Sequence, residues 1–140
     1  VARINAVFLD LSAIEKQLYG VRCLEAFVQT YEIQHPSVDR LLDHLRSIGG
    51  YSFGRWERAG ALLPLNGRGD PAPSDLIEEL PEDLRPDFLR LVDSVVEIGM
   101  VDAYAVDSIS PLRFLLQAVA ILEVHEVPLP ALDFGSRRRK

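Results

Sequence analysis

Pro86-Asp87-Phe88-Leu89-Arg90-Leu91-Val92-Asp93-Ser94-Val95-Val96-Glu97-Ile98-Gly99-Met100-Val101 is the stretch on which the fold turns. Its polar residues are confined mainly to Asp87, Arg90, Asp93, Ser94 and Glu97, so a helix formed here is apolar on most sides and must be wrapped by neighbours. The β-branched residues would suit a buried strand, but a run of about 16 residues is too long for one. Proline is tolerated at the first helical position, which makes Pro86 a natural start. A second apolar segment, Leu112 to Val124, follows the cap-like pair Ser110-Pro111 and is interrupted only by Arg113, Gln117 and Glu123. These two helices are expected to form the centre of the core, with Val95 and Leu116 inside it and residues 102–109 connecting them.

Earlier in the chain the helices read as amphipathic covers. Leu11, Ile14, Leu18, Val21, Leu24, Phe27, Val28 and Tyr31 recur at helical spacing, and Ser12 with Glu15 makes a capping-box pattern, predicting a helix over 12–31. Residues 4–9 alternate well enough for a short extended lead-in, although a helical reading stays open. From Pro36 or Ser37 to Ile48, Val38, Leu41, Leu42, Leu45 and Ile48 share one face, and Gly49-Gly50 ends the run. Ser52 is placed to cap a short helix bearing Phe53 and Trp56, stopped by Gly60 and Pro64.

Residues 64–74 contain three prolines and two glycines and cannot continue a helix. They predict a surface loop within one domain, with Leu65 outside the core. Ser74 reads as the next cap, Pro81 and Pro86 as restarts, and Val127-Pro128-Leu129-Pro130 as extended chain. The expected fold is therefore all-α, an irregular bundle of about five helices around a central apolar pair. It occupies residues 1–134, with 135–140 as a flexible basic tail.

Hydrophobic residues make up 48% of the chain and charged residues 26%, close to globular averages, which argues against disorder. The net charge is −6, but Arg137, Arg138, Arg139 and Lys140 supply four of the 15 positive charges, so the body carries −10. Such a body repels phosphate backbones and favours a basic protein partner over nucleic acid. Cys23 is the only cysteine, which excludes an internal disulfide and a cysteine-based zinc site. Within a helix and among Leu24, Phe27 and Val28, it reads as a buried, inert thiol. No apolar run approaches the length of a membrane span and no secretory leader is legible, so the cytoplasm is the expected compartment.

Chemistry-bearing motifs are sparse. Glu32-x-x-His35 has the spacing of half a carboxylate-bridged di-iron site, but Leu41 and Leu122 stand where the other histidines, His44 and His125, would need a glutamate. His35, Asp39 and Asp43 step along one helix face and read as a solvated side. Arg68-Gly69-Asp70 spells an integrin-type tripeptide with no supporting context. Phosphate loops, dinucleotide fingerprints and nucleophile elbows are all missing, so no catalytic residue, metal or cofactor is expected.

The feature that stands out is a run of carboxylates: Asp70, Asp75, Glu78, Glu79, Glu82, Asp83 and Asp87, with Arg85 the one basic residue between Ser74 and Phe88. Helix starts account for Asp75, Glu82, Asp83 and Asp87, but less well for Glu78 and Glu79. Tyr51, Phe53 and Trp56 could fold onto the core or supply an interface hot spot. The expected function is that of a small acidic protein-binding protein, an immunity-type toxin neutraliser or an adaptor, using Glu78, Glu79, Glu82, Asp83 and Trp56. The alternative class is an enzyme or small-ligand binder with a pocket between helices.

Overall fold

Ser12 begins the first long helix as its sequence pattern requires: its hydroxyl accepts from the Glu15 amide while the Glu15 carboxylate accepts from the Ser12 amide. The computed structural model describes residues 7–49, 52–104 and 109–132. In chain order the helices are α1 (Ala13–Thr30), α2 (Pro36–Arg46), α3 (Phe53–Ala61), α4 (Ser74–Glu79), α5 (Arg85–Tyr104) and α6 (Ile109–Val124), with a 3₁₀ turn at Glu82–Leu84 between α4 and α5. No strand occurs among the described residues. Where an extended lead-in was anticipated, residues 7–9 instead form a helical turn, because this places Phe8 in the core with its ring 5.1 Å from that of Tyr19. Residues 4–6 and the basic tail lie outside the described residues.

The α5–α6 contact is the most extensive, and α1 packs on both helices, so the centre is a trio rather than the anticipated pair. Two glycines permit the approach of α1 to α5. A Cβ on Gly20 would stand 2.7 Å from Ile98 Cδ1, and one on Gly99 would stand 2.2 Å from Gln17 Oε1. Gln17 is fully buried there, and its amide nitrogen donates to the Val95 carbonyl at 2.8 Å. Across the other seam, buried Ser94 donates to Gln117 Oε1 at 3.1 Å. Helix α2 lies on α1, and α3 on α2.

Both long helices that need a sharp stop end in the same way. Glu32 and Glu126 adopt left-handed backbone conformations, with φ of 54° and 58°. The Ile33 amide then reaches the Val28 carbonyl at 2.9 Å, and the Val127 amide reaches that of Leu122 at 2.9 Å. This is the Schellman closure, made here with glutamate where glycine is usual. It leaves Tyr31 and His125, the residues just past the ends of α1 and α6, facing one another.

Several local expectations are corrected. Ser74 lies inside α4 and makes no cap; Pro73 precedes it with no side-chain hydrogen bond. Helix α5 runs on to Tyr104 and α6 includes Ile109, which shortens the anticipated connection, and residues 105–108 lie outside the described ones. The loop of residues 64–74 does not merely skim the surface. Leu65 and Asn66 are each 3% exposed, and Gly67, at φ 64°, rests against Val92 and Val96 of α5. Asn66 ties the turn together, donating to Asp70 Oδ2 at 2.7 Å and accepting from the Arg68 amide at 2.9 Å. Leu116, by contrast, is only half-buried.

Val95→Asp and Leu65→Asp are therefore both expected to abolish cooperative unfolding, since each buries an unpaired carboxylate against a total stability of about 5–15 kcal/mol. Leu116→Asp should be milder. Gly67→Ala should lower stability by about 2–4 kcal/mol, from its left-handed backbone and from overpacking against Val96. Urea denaturation of the four variants checks this ranking, and an unaffected Gly67→Ala would show that the loop is not docked.

Candidate functional site

Leu76, Leu80, Leu84 and Phe88 fall at every fourth position through the acidic segment, and all four are buried. They pin the segment to the core although it is broken into α4, an extended residue at Leu80, the Pro81 turn and the start of α5. With the apolar side chains turned inward, Glu78, Glu79, Glu82 and Asp83 are turned out, and all four are exposed. None of them makes an ion pair or hydrogen bond with a described residue. Arg85 does not neutralise them directly: it is half-buried, and its Nε donates to the Leu80 carbonyl at 3.1 Å.

The acids at the two ends of the segment are engaged differently. At the start, His35 caps α2, its Nδ1 accepting from the Ser37 amide at 3.1 Å. The proton of a neutral imidazole then sits on Nε2, which faces Asp75 Oδ2 at 3.1 Å. That hydrogen bond holds the Asp75 carboxyl below its ordinary range. At the other end, His125 Nε2 lies 2.8 Å from Asp87 Oδ2, while Tyr31 Oη lies 3.1 Å from His125 Nδ1. A carboxylate only accepts, so Nε2 carries a proton, and in the neutral imidazole Nδ1 accepts from the Tyr31 hydroxyl. Asp87 Oδ1 in turn accepts from Arg90 Nη1 at 3.1 Å. Tyr31, His125, Asp87 and Arg90 thus form one chain of hydrogen bonds across α1, α6 and α5. It ends at a cleft of about 310 Å³ lined by Asp87, Arg90, Gln117, Ala120, Ile121 and Val124.

Trp56 does not join the acidic face. It is 1% exposed, its indole nitrogen donates to the His44 carbonyl at 3.0 Å, and its ring stacks on the His44 imidazole at 4.7 Å. Of its companions, Phe53 is half-buried with its ring 5.8 Å from Trp56, and Tyr51 lies outside the described residues. The Arg68-Gly69-Asp70 tripeptide is not presented either. Arg68 turns inward to the Glu57 carbonyl and carboxylate, and Asp70 is held by Asn66.

The remaining candidates are structural. Glu32 is exposed beyond the end of α1, and Asp43 pairs with Arg46. No group of His, Cys, Asp and Glu that could hold a metal occurs among the described residues. Cys23 is fully buried, and burial pushes its thiol up to about 12, which makes it unreactive. No described helix is long and apolar enough to cross a membrane. Comparison of the chain with protein-family models, with curated proteins and with solved structures gives no match.

His44, which the sequence offered only as a histidine without the di-iron spacing, is a partly buried titratable group. Its Nε2 is buried with no partner among the described residues, and Gly60 leaves the space that it shares with the Arg68 guanidinium. Burial first, and the Arg68 charge second, push the His44 pKa below its ordinary 6.5. Below that pH the unfolded chain takes up a proton here that the folded chain does not. The stability contributed by neutral His44 is thus complete above 6.5 and is lost as pH falls through the folded value. His44→Phe, which keeps a ring on Trp56, should flatten the acid-side decline of the unfolding midpoint measured by circular dichroism; a decline parallel to that of the parent protein would refute this.

Proposed function

We propose that this protein acts by binding a basic protein partner through the face formed by Glu78, Glu79, Glu82 and Asp83. The reading rests on one observation: these four carboxylates are exposed and unpaired among the described residues, while the adjacent cation, Arg85, is drawn onto the Leu80 carbonyl. Buried leucines at every fourth position support the face from beneath, so the charges sit on a segment anchored to the core. Prepositioned like charges raise encounter rates with a cationic surface more than they raise final affinity. A toxin-neutralising immunity protein or an adaptor would make use of such a face. Trp56 is buried, so this reading rests on the carboxylates without it.

Reversing Glu78, Glu79, Glu82 and Asp83 to lysine is expected to leave the helical circular dichroism signal unchanged and to slow association with the natural partner at low salt. Exposed charges are screened beyond about 8 Å at physiological ionic strength, so the difference should shrink as salt rises. Surface-based kinetics at two salt concentrations measures both effects. An on-rate at low salt identical to that of the parent protein would overturn the reading.

A further inference from the structure

We propose that the cleft between α5 and α6 binds a small monocarboxylate with an apolar body. Its apolar lining is Ala120, Ile121 and Val124, of which Ile121 is buried at the base while Ala120 and Val124 are exposed at the rim. The volume of about 310 Å³ is at the lower end of the range for small-ligand sites.

The polar rim sets the chemistry of the occupant. Gln117 Oε1 is taken by Ser94, which leaves the Nε2 donor without a described partner. Arg90 uses Nη1 on Asp87, and its Nη2 and Nε have no described partner. Both oxygens of Asp87 are occupied, one by Arg90 and one by His125. The rim groups with no described partner are therefore donors, one of them a guanidinium edge, and that combination is complementary to a carboxylate. A cationic head would meet the Arg90 charge and, on Asp87, only the second lone pairs of oxygens already bonded to Arg90 and His125. A dianion would meet the Asp87 charge beside a single free guanidinium edge, which favours a monoanion.

The Arg90 guanidinium is the last member of the Tyr31–His125–Asp87 chain, whose first two members are the residues just past the ends of α1 and α6. Glutamates in left-handed conformation fix both of those helix ends. The Asp87 contact thus favours one orientation of the guanidinium, on a side chain that is otherwise 64% exposed, and so reduces part of the entropy lost on binding. Tyr31, His125 and Asp87 are positioning residues.

The test is titration of the full chain with sodium octanoate, followed by amide chemical shifts, with 1-octanol as the uncharged probe of the same shape. Octanoate is expected to shift signals around Arg90, Gln117 and Val124 saturably in the millimolar range or below. Arg90→Met should weaken it by about tenfold while leaving octanol unchanged. Ala120→Trp, at an exposed position, should block both probes by filling the cleft. Tyr31→Phe retains the ring but removes the hydroxyl, and should lower the affinity for octanoate and not that for octanol. The proposal is overturned if octanoate gives no saturable shift, if Ala120→Trp leaves its binding intact, or if Arg90→Met weakens octanoate and octanol alike.

Discussion

The contact between Gly20 and Gly99 and the side chains opposite them governs how the bundle is put together. Ile98 fills the space that Gly20 leaves on α1, and Gln17 fills the space that Gly99 leaves on α5. The exchange is reciprocal, so neither helix can rotate or slide without driving a side chain into backbone. Burying the Gln17 amide is costly: its nitrogen bonds the Val95 carbonyl, which fixes the register between the helices, while its Oε1 has no partner among the described residues. Once α1 and α5 are locked, α6 has a groove to fill, and Phe27, Leu91, Val95, Leu115 and Leu122 meet there with almost no exposure. The cover helices α2 and α3 follow, the second held by Trp56 reaching back to the His44 carbonyl.

The same register places the helix ends. Helices α1 and α6 stop at Schellman closures, and the residues just past them, Tyr31 and His125, come within hydrogen-bonding distance because the two helices pack on each other and on α5. The His125 ring meets those of Phe27 and Tyr31 edge-on at this junction, and the latter two are tilted against each other. Asp87, in the first turn of α5, receives His125 from one side and Arg90 from the other. A local feature, the sharp end of a helix, is in this way converted into a polar chain that spans the bundle.

Asp87 also links the two surfaces of functional interest, as the last acid of the carboxylate-rich segment and a wall of the α5–α6 cleft. The segment is held at both ends by aspartate–histidine pairs, Asp75 with His35 and Asp87 with His125. Between them the outward acids contribute little to folding, since exposed charges interact weakly. Their placement is instead a by-product of the leucines beneath them, which bury at every fourth position and leave Glu78, Glu79, Glu82 and Asp83 no direction but outward.

The all-helical character, the long apolar helices, the Ser12–Glu15 cap and the exposure of the four acids were legible in the sequence, because each depends on residues within about one helical turn of one another. What lies inside and outside at the loops was not. Leu65 is buried and Leu116 half-buried because a proline-rich loop docks on α5 and one side of α6 faces away from the trio, and no local pattern encodes either event. Trp56 carried the same chemistry for a core or an interface, and its partner His44, 12 residues away on another helix, decided between them. The Tyr31–His125 and His125–Asp87 pairs span 94 and 38 residues, beyond the reach of any periodicity. Such pairs exist only once three helices have fixed their relative register, because hydrogen bonds need their atoms placed to within a few tenths of an ångström, whereas hydrophobic periodicity specifies only which side of a helix faces the core.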